Sequence, residues 1–326
     1  MNIHQDRDAF QGLLSDISYR TGIRNDIVEK DYYLTLLLWE LSQKQVILPA
    51  YFKGGTALYK AIGHMNRFSE DIDLTVDIHD CSKTQGKKRL ETAANGYKTL
   101  PRTSDKEREN NQKGSITSVY EYTPVSDVDV DDALQRSGYV KVEATSFTIS
   151  EPVESLEISP LLYSEATKAQ TQILELNYDV KPFSIYTIKL ERIFADKILA
   201  AEFYYQRNAL IDTAKHLYDL STMMNQERIH FLISSSEELA AMLAYKRREE
   251  RKRIGSDLSE KPFSEFTVFD AVGMDSDLST AFSKMQEIYV FSQSDILSLA
   301  QLSVSMAALS RVLLKLDEGL GKTQKL

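Results

Sequence analysis

The chain has 326 residues, 42% of them hydrophobic and 27% charged, which suits one large or two ordinary globular domains with an ample core. A formal net charge of −9 excludes a general nucleic-acid binder held by bulk positive charge, while leaving room for a local basic patch on an acidic body. The lone Cys81 excludes an internal disulfide and fits a reducing compartment.

The N-terminal Met-Asn-Ile-His-Gln-Asp has no basic region followed by an apolar core, so no secretory signal is expected. The apolar-rich stretch 32–41 is interrupted by Thr35 and Glu40 and falls short of the roughly 20 residues that cross a bilayer. A cytoplasmic protein with no membrane association is therefore expected. Residues 5–45 read as helical, with a turn signal at Thr21-Gly22 and then an apolar face built from Ile27, Val28, Tyr32, Leu34, Leu36, Leu37, Leu38 and Leu41. Tyr51 and Phe52 begin a short extended piece that runs into Gly54-Gly55, and a helix is predicted over 56–64. Residues 71–77 alternate charge with Ile72, Leu74 and Val76, the period of a half-buried strand.

Between 82 and 115 Lys and Arg are scattered among Gly, Asn and Thr; a helix near 87–97 and a mobile loop to about residue 113 are predicted. Strands follow at 116–122, 139–149 and 184–188, with an acidic turn over 126–132. From residue 187 helical periodicity dominates. The expected fold is α+β, a mixed sheet with flanking helices over 1–186 and an all-helical half over 187–326.

Two features carry chemistry. Gly54-Gly55-Thr56, between a strand and a helix start, can offer bare backbone N–H groups and a hydroxyl to phosphate. Asp71 and Asp73, two apart on a strand, point to one face, while Ile72 and Leu74 point into the core and fix the aim of both acids. Neighbouring carboxylates repel, so such a pair calls for a cation or an open rim. Singly these are ordinary features; in this order and spacing they suit nucleotidyl transfer, which needs a triphosphate cradle and carboxylates holding Mg²⁺. Ser69 would share the carboxylate face on a continuing strand, where it could contact the terminal phosphates or stand as a plain strand-edge serine.

Phe52-Lys-Gly-Gly-Thr-Ala-Leu58 followed by Arg67-Phe-Ser-Glu-Asp-Ile-Asp-Leu74 resembles the minimal nucleotidyltransferase fold, and more closely the AbiEii/AbiGii toxin family that includes the mycobacterial MenT-type toxins. Glu29-Lys30-Asp31-Tyr32-Tyr33 resembles that family's acidic-basic N-terminal helix. By the same resemblance Lys141-Val-Glu143 matches a Lys-x-acid pair, which implies Glu143 as third metal ligand beside Asp71 and Asp73, with Asp129 or Asp131 of the acidic turn as rivals. Leu190-Glu-Arg-Ile-Phe-Ala-Asp-Lys197 resembles the helix that brings a Lys to the nucleotide, and Arg207 with Lys215-His-Leu-Tyr-Asp219 resembles a later motif, departing at His216 where the family carries Asp. The resemblance thus implies Gly54, Gly55, Thr56, Ser69, Lys141, Lys197 and Lys215 as nucleotide-binding residues, Mg²⁺ as cofactor, NTP as substrate, and a cognate antitoxin.

The acceptor is open: an RNA, such as the 3′ end of tRNA, or a protein side chain or small molecule, with a catalytically idle interaction module as a third class. Two basic segments could grip RNA phosphates: the ridge of six Lys and Arg within 245–254, and the 83–113 segment next to the metal strand. The bland alternative for each is a solvated face or a disordered loop.

Overall fold

The computed structural model describes residues 1–62, 67–112, 114–126, 137–146, 152–254 and 261–323, with only the backbone of 249–254 and 318–323. These residues pack into two units, the first holding Met1–Ser146 and 150–188, the second built on the chain from Lys189. Asp129 and Asp131 lie outside the described residues.

The first unit opens with α1 (Arg7–Thr21), capped by the Asp6 carboxylate accepting from Ala9 N and ended by Gly22 at φ 76°, which an L side chain would strain. After it α2 (Asn25–Lys44) buries an almost continuous run from Ile27 to Leu38, so this helix is enclosed rather than amphipathic. The strands are β1 (Ala50–Lys53), β2 (Asp71–Val76), β3 (Asn110–Gln112), β4 (Ser115–Glu121), β5 (Tyr139–Thr145), β6 (Val153–Ile158) and β7 (Phe183–Ile188). They form one mixed sheet in the order β3-β4-β5-β2-β1-β7-β6. Its centre pairs β1 with β2 antiparallel and β2 with β5 parallel.

Along this centre Phe52, Ile72, Leu74, Val140, Val142 and Ala144 are fully buried. Helices α2 and α4 (Lys83–Asn95) pack on the sheet, α4 fixed by the Tyr120 hydroxyl donating to the Ala94 carbonyl. Burial of Ile72 and Leu74 contributes about 1.5–3 kcal/mol each. A one-residue slip would turn both outward and drive Asp71 and Asp73 into the core, so the register is strongly held.

Three pieces of local structure depart from the sequence-based expectation. The basic segment begins its helix at Lys83 rather than near 87, because the Ser82 hydroxyl and the Gln85 side chain form a capping box. Part of the expected mobile loop pairs as edge strand β3 against β4. Strand β6 and helix α6 (Lys168–Tyr178), neither predicted, complete the unit; β6 alternates too weakly to be legible, and α6 rests on a Thr167–Gln170 capping box.

The second unit is helical: α7 (Leu190–Tyr205), α8 (Leu210–Met223), α9 (Glu227–Ser234), α10 (Ser236–Ile254), α11 (Val268–Ala271), α12 (Ser276–Tyr289) and α13 (Leu299–Thr323). The segment Gln293–Asp317 is long and apolar enough, by length and composition, to cross a membrane, contrary to the expectation of no such run. In α13 its Leu302, Met306, Leu309, Leu313 and Leu316 are buried, and the helix packs on α8 and α11. Inside the unit the fully buried Glu202 carboxylate accepts from Thr267 N, Val268 N, Gln206 Nε2 and Lys261 Nζ at 2.9–3.3 Å, which joins α7 to the start of α11. Removing it strands buried N–H donors, so Glu202→Ala is expected to lower stability by about 2–3 kcal/mol, read as an earlier urea-unfolding midpoint followed by circular dichroism.

Candidate active site

Strand β1 brings Lys53 directly opposite Asp73 of β2. Opposed residues of an antiparallel pair share a face, so the ammonium-bearing chain and the carboxylate stand on the same side. The next residue, Gly54, turns the chain with φ 79°, in the left-handed region. A Cβ built on Gly54 would lie 2.1 Å from Asp73 Oδ2 and 2.9 Å from Asp73 Cβ, and one on Gly55 would lie 2.8 Å from Ser69 Oγ and 3.1 Å from Arg67 Nη2. Gly54 therefore demands glycine for both space and conformation, whereas a Cβ at Gly55 would have to displace the ends of the Ser69 and Arg67 side chains. The turn is bare backbone wedged between Asp73 on one side and Ser69 with Arg67 on the other. A short helix, α3 (Gly54–Ala57), starts at this turn and continues as a wider π turn over Leu58–Ile62.

Thr56 is buried, and its hydroxyl donates to the Asp71 carbonyl. This contact staples α3 onto β2. Ser69 is half-buried in the coil just before β2, and its hydroxyl adjoins the Gly55 turn.

Asp71 pairs in register with Lys141, and Asp73 with Glu143, across the parallel β2–β5 ladder. Four charged side chains of two neighbouring strands thus share the sheet face opposite the buried Ile72, Leu74 and Val142. Lys141 Nζ forms an ion pair with Asp71 Oδ2 at 3.2 Å. Burial pushes the Asp73 carboxyl up to about 6; Glu143 and Asp71 push the same way, while Lys53 and Lys141 pull it down. Two lysines do not offset the desolvation of a carboxylate with two acidic neighbours. Hard oxygen donors in this charge balance fit Mg²⁺ in chemical type. Among the described residues no three His, Cys, Asp or Glu side chains are gathered tightly enough to form a finished cage. Strand register sets Asp73 beside Glu143 and Asp71 beside Lys141 on neighbouring strands.

The remaining predicted residues lie in the second unit. Lys197 is buried and pairs with Asp219 at 2.5 Å, so the α7 and α8 residues singled out separately in the sequence meet. Lys215 pairs with Asp212 at 3.6 Å and lies over the Tyr289 ring at 4.3 Å. Glu191 is held by Arg228. The His216 ring stacks on Tyr204 with centroids 5.2 Å apart.

The two basic segments are less free than their composition suggests. In the ridge, Lys246 is buried against Asp196 at 3.2 Å, and Arg247 stacks over Phe263 while donating to the Lys261 carbonyl. In the 83–113 segment Arg89 pairs with Asp80, Arg102 and Lys106 with Glu109, and Arg108 with Asp105. Sequence reasoning also passed over Lys53 and Arg67 as site residues. The alternation of β1 was the available signal for Lys53, since Phe52 is buried and its neighbour must face the other way. Arg67 opens the quoted motif, but only the fold brings its guanidinium to the Gly55 turn.

None of the curated proteins matches the sequence. Among solved structures, the fold is similar to that of MenT4, a nucleotidyltransferase toxin from Mycobacterium tuberculosis H37Rv, with a TM-score of 0.54 and 15% identity, covering 93% of this chain and 89% of that one. That likeness concerns fold alone. The sequence itself matches the family described as nucleotidyl transferase AbiEii toxin, type IV TA system, over residues 36–295. With its glycine turn, paired aspartates and mixed sheet, the chain belongs to the AbiEii family of nucleotidyltransferase toxins.

Proposed function

We propose that this nucleotidyltransferase moves NMP from an NTP to the 3′ end of an RNA of the tRNA class, in a metal-dependent reaction centred on Asp71 and Asp73. The observation that carries the reading is the contact of Gly54 with Asp73, which leaves no room for a Cβ and sets a bare phosphate cradle directly beside the carboxylates. The acceptor hydroxyl oxygen attacks the α-phosphorus, the bond to the β-phosphate oxygen breaks, and pyrophosphate leaves. Mg²⁺ held by Asp71, Asp73 and Glu143 would neutralise phosphoryl charge and ease loss of the hydroxyl proton. Backbone N–H groups of Gly54 and Gly55 hold phosphate oxygens, with Ser69 at the edge of the turn. Lys141, already on Asp71, and Lys53, opposite Asp73, keep the carboxylates from repelling the incoming triphosphate. Lys197 and Lys215 are assigned to the nucleotide by family resemblance. Family membership brings a cognate antitoxin as partner, and the chemistry suits the cytoplasm, where NTP and tRNA are abundant.

One observation favours a second acceptor class. The acid partners of Arg89, Arg102, Lys106 and Arg108 offset the positive charge that RNA would need beside the site. A protein side chain or a small hydroxylated molecule is therefore the alternative acceptor. Incubation with each labelled NTP plus total RNA or protein extract decides between them, by which fraction takes up label.

Asp71→Asn and Asp73→Asn are expected to cut NMP transfer by at least about a hundredfold without loss of fold, seen as label incorporation against unchanged circular dichroism. Wild-type turnover in either would overturn the metal reading. Gly54→Ala is expected to be equally inactive, since its Cβ collides with Asp73.

The raised Asp73 carboxyl makes a further prediction about pH. Between its unfolded value of 3.8 and about 6 the folded chain binds more protons than the unfolded one, so Asp73 costs stability as pH rises through this window. Without divalent metal, Asp73→Asn should therefore melt higher than wild type at pH 8, with the gap shrinking towards pH 4. Added Mg²⁺ should raise the melting temperature of wild type but not of this variant. Equal melting curves at pH 8 would contradict it.

A further inference from the structure

Glu29, Lys30 and Asp31 are consecutive on α2, and all three are buried, at 1%, 5% and 0% exposure. Successive helix residues point about 100° apart, so three neighbouring charges are enclosed only where the helix is surrounded, and each must find its own partner. Their partners lie on different segments. Glu29 accepts from Val125 N at 2.7 Å and Ser126 N at 2.9 Å, in the chain that leaves β4. Lys30 Nζ lies 3.7 Å from Glu70 Oε2, and Glu70 immediately precedes Asp71. Asp31 Oδ1 accepts from Lys60 Nζ at 2.6 Å and the Tyr59 hydroxyl at 2.8 Å, both on the π turn that continues α3. Its Oδ2 accepts from Leu161 N at 2.6 Å, and Lys60 also donates to the Ser159 carbonyl at 3.0 Å.

Stability alone does not account for this arrangement. Buried ion pairs are commonly matched or bettered by apolar residues of the same volume, because desolvation offsets most of the attraction. They do specify direction, since a charge in a dry interior tolerates only its partner's position. Here the two ends of the motif are specified from one rod: Asp31 fixes the helix behind the Gly54–Gly55 turn, and Lys30 fixes the approach to Asp71 and Asp73.

We propose that Lys30 and Asp31 are positioning residues for nucleotidyl transfer, setting the distance between the phosphate cradle and the carboxylate strand through Tyr59, Lys60 and Glu70. The proposal rests on the transferase reading above. Neither residue touches the reacting atoms; they act because transfer needs the α-phosphorus and the carboxylates in one fixed geometry, and small displacements are costly.

The test uses the full chain with four variants: Asp31→Asn, Tyr59→Phe, the neutral pair Lys30→Met with Glu70→Met, and Lys30→Arg. Melting temperature, amide hydrogen exchange over 54–62 and 70–76, and kcat and KM for NTP are measured. In Asp31→Asn and Tyr59→Phe exchange should quicken over 54–62 and stay unchanged in the second unit, with kcat lowered about tenfold and KM for NTP raised. The neutral pair should melt close to wild type yet lose kcat by a similar factor, while Lys30→Arg recovers most of it. A merely structural pair would recover rate together with stability. Wild-type kcat in the neutral pair, or unchanged exchange over 54–62 in Asp31→Asn and Tyr59→Phe, overturns the proposal. Should Asp31→Asn not fold, Tyr59→Phe, which removes a single hydroxyl, decides the matter. If wild type itself shows no transfer, the transferase reading fails on its own, and the exchange data still decide the positioning.

Discussion

Asp71 and Asp73 are held on one sheet face by the burial of Ile72 and Leu74, which alternate with them along β2, and the rest of the first unit accommodates the repulsion this creates. Glu143 adds a third acid in direct register with Asp73, and Lys53 and Lys141 offset the charge only in part. A protein selected for stability alone would replace Asp73 with a neutral residue. In the proposed reaction a cation and a triphosphate would relieve this repulsion, and the energy withheld from folding would serve binding. The glycine turn follows from the same crowding: with Asp73 Oδ2 occupying the space of a Gly54 Cβ, the cradle can be made of backbone only.

Charge is also enclosed in the second unit, with a different result. Lys197 with Asp219 and Lys246 with Asp196 join helices through buried or half-buried ion pairs, Arg192 pairs with the same Asp196 within α7, and Lys261 reaches Glu202 from the coil before α11. Two of the six basic residues in the 245–254 ridge are drawn inward by these demands, Lys246 by Asp196 and Arg247 by Phe263 and the Lys261 carbonyl. A basic run read as a binding face is in this part an internal fastening. In the 83–113 segment the arginines instead take up nearby Asp and Glu at the surface.

The core strands were legible because each carries period-two alternation strong enough to survive without context: Ile72, Leu74 and Val76 on β2, Val140, Val142 and Ala144 on β5. Edge strands β3 and β6 were not, since an edge strand is half solvated and needs no apolar stripe. The apolar length of α13 was missed because its leucines and methionine are interleaved with Ser, Ala and Gln rather than run together.

By itself the sequence determined which atoms could do the chemistry. Two glycines after a short strand, and two aspartates two apart on another, define a cradle and a carboxylate face through covalent geometry and strand periodicity, both local properties. Tertiary structure decided which of those atoms meet. Lys53 opposite Asp73, Glu143 beside it, Arg67 at the Gly55 turn and Lys197 on Asp219 are pairs 12 to 70 residues apart, set by sheet register and helix packing. The burial of Glu29, Lys30 and Asp31 is of the same kind. In sequence they read as part of an acidic-basic helix, and only the segments packed around α2, each bringing its own partner, make them internal.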